Sequence, residues 1–151
     1  MSPAGRGGQG GRGGEAGHRA VPHTADVRIE AWGPSRESCV AEAVRGLVEC
    51  FAETAGVRPR RRVPLDVPPG PDADLLVTVL DEVIYLLEVA GEIVLEGRFE
   101  PTPDGGISGG LTVGDAAQAR PVGAVPKAVS LHDLRFGRND GGWSCAVTID
   151  V

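Results

Sequence analysis

The chain has 151 residues, a hydrophobic fraction of 41% and only 4% aromatics, so one core filled by Val, Leu, Ile and Ala is expected. No apolar run approaches the roughly 20 residues that span a bilayer, and no apolar h-region marks a signal peptide, which predicts a cytoplasmic protein without a membrane segment. The net charge is −6. Residues 1–20 carry Arg6, Arg12 and Arg19 against Glu15, net +2, which leaves −8 on residues 21–151. A surface that acidic repels phosphate backbones, so direct nucleic-acid binding is not expected.

The glycine-rich stretch 1–20 has too little apolar surface to offset its ordering entropy and is predicted to be a disordered tail, with the folded domain over 21–151. From Val27 to Trp32 apolar and polar residues alternate, the pattern of a half-buried strand. Gly33-Pro34 breaks it and Ser35 is placed to cap a helix. Val40, Ala43, Val44, Leu47, Val48 and Phe51 then recur at helical spacing, predicting about five turns ended by Gly56. A strand follows from Arg62 to Val67, and Pro68-Pro69-Gly70-Pro71 is a firm breaker. Asp72 and Asp74 are the candidate caps of a second helix reaching Glu88, whose apolar face is Leu76, Val79, Leu80, Val83, Ile84 and Leu87. Strands are predicted from Glu92 to Glu100, Ile107 to Val113, Ala128 to Phe136 and Trp143 to Val151, separated by Pro103-Asp104-Gly105-Gly106 and by Arg138-Asn139-Asp140-Gly141-Gly142. The fold class expected is α+β, a single-domain sandwich with two helices packed on a mostly antiparallel sheet.

The three cysteines, Cys39, Cys50 and Cys145, form no CxxC or Cys/His cluster and read as reduced, half-buried apolar side chains. Three segments carry polar groups in suggestive places. His23-Thr24-Ala25-Asp26 stands at the mouth of the first strand. Lys127 opens a later strand. Asp150 lies in a closing strand whose apolar face is Trp143, Cys145, Val147, Ile149 and Val151. Each has an ordinary reading: a turn or capping aspartate, an edge-strand lysine, a solvated carboxylate. If the terminal segment brings carboxylates together, a cation must offset their repulsion, and oxygen-only donors favour Ca²⁺ or Mg²⁺ over zinc. No GxSxG, P-loop or strand-to-helix GxGxxG is present. A metal-dependent hydrolase using Asp26 and Asp150 is the enzymatic alternative, and Asp81 in the second helix is either solvated or turned toward a site.

The order of three segments resembles the archease family: His23-Thr24-Ala25-Asp26-Val27 with Ala31-Trp32-Gly33; Asp74-Leu75-Leu76-Val77 running on to Leu80-Asp81-Glu82-Val83-Ile84-Tyr85; and Lys127-Ala128-Val129-Ser130-Leu131-His132 with a strand ending Ile149-Asp150-Val151. Arg28, where a small residue is usual, and Ser130-Leu131, in place of a Thr-Tyr pair, depart from the pattern. The resemblance implies a non-enzymatic accessory protein that promotes guanylylation and multiple turnover of an RtcB-type RNA ligase in tRNA splicing or RNA repair. It also implies a divalent cation, Ca²⁺ first with Mg²⁺ or Mn²⁺ as alternatives, held by Asp26, Asp150 and Val151, and an activating role for Lys127. The alternative is a general chaperone-like binding module with a structural metal site.

Overall fold

The computed structural model describes residues 14–22 and 26–151. In chain order the elements are β1 (Gly17–Pro22), β2 (Asp26–Gly33), α1 (Arg36–Glu49), β3 (Ala52–Glu53), β4 (Arg61–Val67), α2 (Asp72–Ala90), β5 (Glu92–Pro101), β6 (Ile107–Asp115), a 3₁₀ turn (Ala116–Gln118), β7 (Arg120–Pro121), β8 (Ala128–Asn139) and β9 (Gly142–Asp150). All strand pairings are antiparallel. The expected α+β class is therefore observed, with its two long helices.

The strands divide into a four-stranded sheet, β1-β2-β9-β8, a three-stranded sheet, β4-β6-β5, and a short β3-β7 pair. Each helix touches strands of both larger sheets: α1 packs on β2 and β5, α2 on β8 and β5. One expected sheet is thus two. Alternation shows which face of a strand is buried but not which strand lies beside it.

Both apolar stripes face the core, from Val40 to Val48 in α1 and from Leu75 to Leu86 in α2. Ser35 caps α1 in a reciprocal box: its hydroxyl accepts from the Ser38 amide, and the Ser38 hydroxyl accepts from the Ser35 amide, each at 3.0 Å. The helix stops at Glu49, well short of Gly56, because the chain tightens at Cys50 and Phe51 and then pairs as β3. Phe51 still buries its ring, 6% exposed, so the stripe holds and only the helix end differs. The cap of α2 is Pro71, without a side-chain hydrogen bond. Asp72 and Asp74 stand inside the first turn instead, where the helix dipole favours carboxylates, and Asp72 also accepts from Arg36 at 3.0 Å. Gly91, with φ 64°, closes α2 in the left-handed region that glycine adopts without a Cβ penalty.

Among the described residues the first strand, β1, starts at Gly17, inside the stretch 1–20 that composition marks as tail. It is an edge strand held along its whole length by β2. His18 anchors it further, its Nδ1 2.8 Å from Glu42 and its Nε2 bonded to Glu49, both on α1. Burial opposes protonation of this imidazole, yet the two carboxylates outweigh burial and raise its pKa above the usual 6.5. A raised histidine contributes stability that is complete below its unfolded value and lost as pH rises through the folded one. Hydrogen exchange at β1 amides is therefore expected to speed up on going from about pH 6 to pH 8, more than in the rest of the sheet. His18→Gln should remove that extra pH dependence; a variant that keeps it would show that another group is responsible.

All three cysteines are free thiols; Cys39 and Cys145 are fully buried rather than half-buried, and Cys50 is intermediate. Contact with the Cys145 thiol, then burial, pushes the Cys39 thiol far up, and burial followed by the Glu49 charge pushes Cys50 up to about 11. Glu92, also buried, is bridged by Arg61 and Arg60, which hold its carboxyl down to about 2. Among the described residues no helix is long and apolar enough to cross a membrane.

Candidate functional site

Three sequence-distant segments meet at one end of the four-stranded sheet. Asp26, first residue of β2, pairs directly with Asp150, last residue of β9, and Asp150 pairs on its other side with Ala128 of β8. The Lys127 amide donates to the Asp150 carbonyl at 2.8 Å. The cause lies in the order β1-β2-β9-β8, which sets the closing strand between the first long strand and the strand that Lys127 opens.

Directly paired residues share a sheet face. Ile29, Val147 and Ile149 are buried in the core, so their alternating neighbours Asp26 and Asp150 face the other way. Asp26 is half-buried, Asp150 exposed, and Val151 packs partly against the core. Two carboxylates directly opposite one another repel, which a bound cation would relieve. Lys127 is exposed, and its ammonium forms no ion pair among the described residues. It is the only lysine in the chain; all the other residues of its basic set are arginines.

The donors at this end are oxygens, which suits a hard cation. Among the described residues no three or more His, Cys, Asp or Glu side chains gather as a metal site. Two carboxylates and main-chain oxygen make an open, incomplete set that suits weak binding or completion by a partner. His23, Thr24 and Ala25 lie outside the described residues. Asp81 stays on the exposed side of α2, its carboxyl raised by partial desolvation.

Next to Asp26 an open depression of about 700 Å³ is lined by Asp26, Arg28, His132, Asp133, Leu134, Arg135 and Thr148. It exists because β8 is not the uninterrupted strand that alternation predicts. Ser130 pairs with Thr148 and Arg135 with Ala146, so Leu131 to Leu134 bulge out opposite Val147 alone. Asp133 takes φ 56°, uncommon for any residue but glycine. Arg28 holds the bulge, donating to the Thr148 hydroxyl and to the Asp133 carbonyl, each at 2.8 Å. Sequence reasoning gave neither Arg28 nor the bulge a role. The available signal was the aspartate in a Leu-His-Asp-Leu run, a residue type that tolerates the left-handed region.

The Archease protein family (MTH1598/TM1083) matches residues 18–151. The chain belongs to the archease family. A "Probable protein archease" of Mycobacterium tuberculosis is 50% identical over 139 residues, covering 89% of this chain and 75% of that relative. A "Protein archease" of Archaeoglobus fulgidus is 26% identical over 136 residues, covering 89% of this chain and 98% of that protein. Two solved structures share the fold. Protein 1598 of Methanobacterium thermoautotrophicum superposes with a TM-score of 0.66 at 23% identity, covering 89% of this chain and 99% of the other. An archease of Thermotoga maritima, described as a possible chaperone, superposes with a TM-score of 0.61 at 20% identity, covering 87% of this chain and 94% of the other. The archease match begins at residue 18, so it takes in nearly all of β1 along with the rest of the four-stranded sheet.

Proposed function

We propose that this archease-family chain is a metal-binding accessory protein of the cytoplasm that activates an RtcB-type RNA ligase. It promotes the ligase's guanylylation and multiple turnover in tRNA splicing or RNA repair and is not itself an enzyme. The observation that carries the reading is the meeting of Asp26, Asp150 and Lys127 across three adjacent strands. Such an end presents carboxylate oxygens and one ammonium together, the two kinds of group that engage divalent ions and phosphate oxygens. The acidity of residues 21–151 supports docking on a basic cleft that holds the RNA, rather than RNA binding by this chain.

Asp26, Asp150 and a main-chain oxygen of Val151 would hold the cation, with Ca²⁺ the first choice and Mg²⁺ or Mn²⁺ the alternatives. A bound ion offsets the carboxylate repulsion and presents positive charge at the docking end. Lys127 extends beside it as a compact, strongly hydrated charge, which an arginine fork does not reproduce. The test is the initial rate of ligase guanylylation with GTP and divalent metal, and of multiple-turnover RNA ligation, against added protein. Stimulation of both is expected; equal rates with and without the chain would overturn the reading in favour of a chaperone-like module.

Calcium should raise the melting temperature by mass action, worth about 2.7 kcal/mol at a hundredfold excess over its dissociation constant. Asp150→Asn should abolish most of that rise, since a neutral amide opposite Asp26 removes the charge that attracts the ion. An equal rise in the variant would remove Asp150 from the ligand set.

A further inference from the structure

We propose that the depression beside Asp26 binds a polyphosphate chelated to a divalent cation, the group a nucleoside triphosphate carries, with Arg28 and Arg135 on its phosphate oxygens. The inference rests on the cation reading above and adds a ligand that this chain takes without the ligase.

Strand register sets the charges. One row across the four-stranded sheet runs Arg19, Glu30, Ala146, Arg135, each paired directly with the next. Arg19 takes Glu30, at 2.5 Å, and the apolar Ala146 parts that pair from Arg135. Arg135 is exposed and has no ion pair among the described residues. The neighbouring row runs Arg28, Thr148, Ser130. Arg28 donates only to neutral acceptors, the Thr148 hydroxyl and the Asp133 carbonyl, each at 2.8 Å. No carboxylate among the described residues stands within ion-pair distance of it. Both guanidiniums line the same open depression of about 700 Å³. In a domain that carries −8 over residues 21–151, that hollow gathers positive charge without a counter-ion.

Two carboxylates line it as well. Asp133 is met by the His132 imidazole at 3.2 Å. Asp26 lies two residues from Arg28 on one strand and one face, roughly 7 Å along it. A cation on Asp26 and Asp150 offsets their charge and leaves the two guanidiniums as an anion site. Two carboxylates leave most positions of a hard cation open. Phosphate oxygens fill such positions, as for Mg²⁺ held by one or two carboxylates plus a phosphate chain. Arginine forks bind the remaining oxygens in charge-assisted pairs. One ligand thus serves the open cation and both unpaired guanidiniums. The backbone of Ala146, level with Arg135, stands roughly 14 Å along β9 from Asp150. Groups strung along a line suit a chain of phosphates better than a single one.

The experiment titrates the chain alone, by calorimetry, with tripolyphosphate and with GTP, each in excess Mg²⁺, in Ca²⁺ and in EDTA. One ligand per chain is expected to bind with either cation, and at least about tenfold more weakly in EDTA. Arg135→Ala should weaken binding roughly ten- to a hundredfold at an unchanged melting temperature. Arg28→Lys should weaken it too, because an ammonium keeps the charge but loses the fork. Arg98→Ala removes an equal charge from an 80% exposed position on the other sheet and should leave binding unchanged. Tripolyphosphate binding at least as tightly as GTP assigns the site to the phosphate chain. Tighter GTP assigns it to a nucleotide, whose base then lies by Trp32 in the adjoining depression that shares Leu134 and Arg135. Equal weakening by Arg98→Ala, or binding indifferent to EDTA, overturns the site. Wild type that binds neither ligand, beside a calcium rise in melting temperature that Asp150→Asn removes, overturns the site and leaves the cation reading standing. Absence of both responses overturns both.

Discussion

Lys127→Ala is expected to fold and melt like the wild type and yet lose roughly ten- to a hundredfold of its stimulation of the ligase. The two halves of that expectation have separate causes. The side chain is exposed and without an ion-pair partner among the described residues, so its removal should change stability by no more than about 0.5 kcal/mol. The main-chain bond from residue 127 to the Asp150 carbonyl does not depend on the side chain and survives the substitution. On the proposed function, the loss would arise on docking, where the ammonium would meet phosphate or carboxylate in the ligase–GTP complex and a charge-assisted contact is worth about 1.5–3 kcal/mol. Lys127→Arg keeps the charge but spreads it over a planar fork, so an intermediate loss is expected. The measurement is the initial guanylylation rate at saturating variant, with folding checked by circular dichroism. Wild-type stimulation by Lys127→Ala would reduce the lysine to an edge-strand gatekeeper.

Gly109→Ala should destabilise the fold more than any other substitution named above, costing on the order of 3 kcal/mol and lowering Tm by roughly 10 °C. Gly109 stands in β6, the central strand of its sheet, between Leu65 of β4 and Phe99 of β5. A Cβ there would come within 1.9 Å of the Arg98 carbonyl oxygen and 2.9 Å of the Phe99 Cα. Both are backbone atoms, so no side-chain rotation relieves the clash and β5 itself must move. Since β5 packs against both helices, the displacement reaches the core. Gly137→Ala is the control. That glycine is also in a strand, yet nothing lies within 4 Å of the place its Cβ would take, and the change should stay within about 0.5 kcal/mol. Thermal unfolding of the two variants separates the cases; similar midpoints would mean that β5 yields without resistance.

The legible parts of this fold are those governed by neighbours in sequence. The capping serine at position 35, the stripes from Val40 to Val48 and from Leu76 to Ile84, and the Asp140-Gly141 turn between β8 and β9 all follow from spacing and local hydrogen bonding. Alternation also places Asp150 outward beside a buried Ile149, and the order of three motifs points to the family. Tertiary pairing decided the rest. Residues 17–20 look like tail by composition, but β2 and the Glu42–Glu49 face of α1 recruit them into a strand. Two-residue pairs such as β3 and β7 have too little sequence to show a period, and they form because distant chain segments are brought together. The division into two larger sheets depends on which strands pair with which, a long-range matter that no local pattern encodes. The candidate site shows the same division. Asp26, Lys127 and Asp150 are each visible as residues, but only the order β2-β9-β8 makes them neighbours, because strand pairing joins positions more than a hundred residues apart as readily as adjacent ones. The bulge is the least legible feature of all: its shape depends on Arg28 reaching across the sheet from another strand to hold a backbone that the residues of β8 do not hold alone.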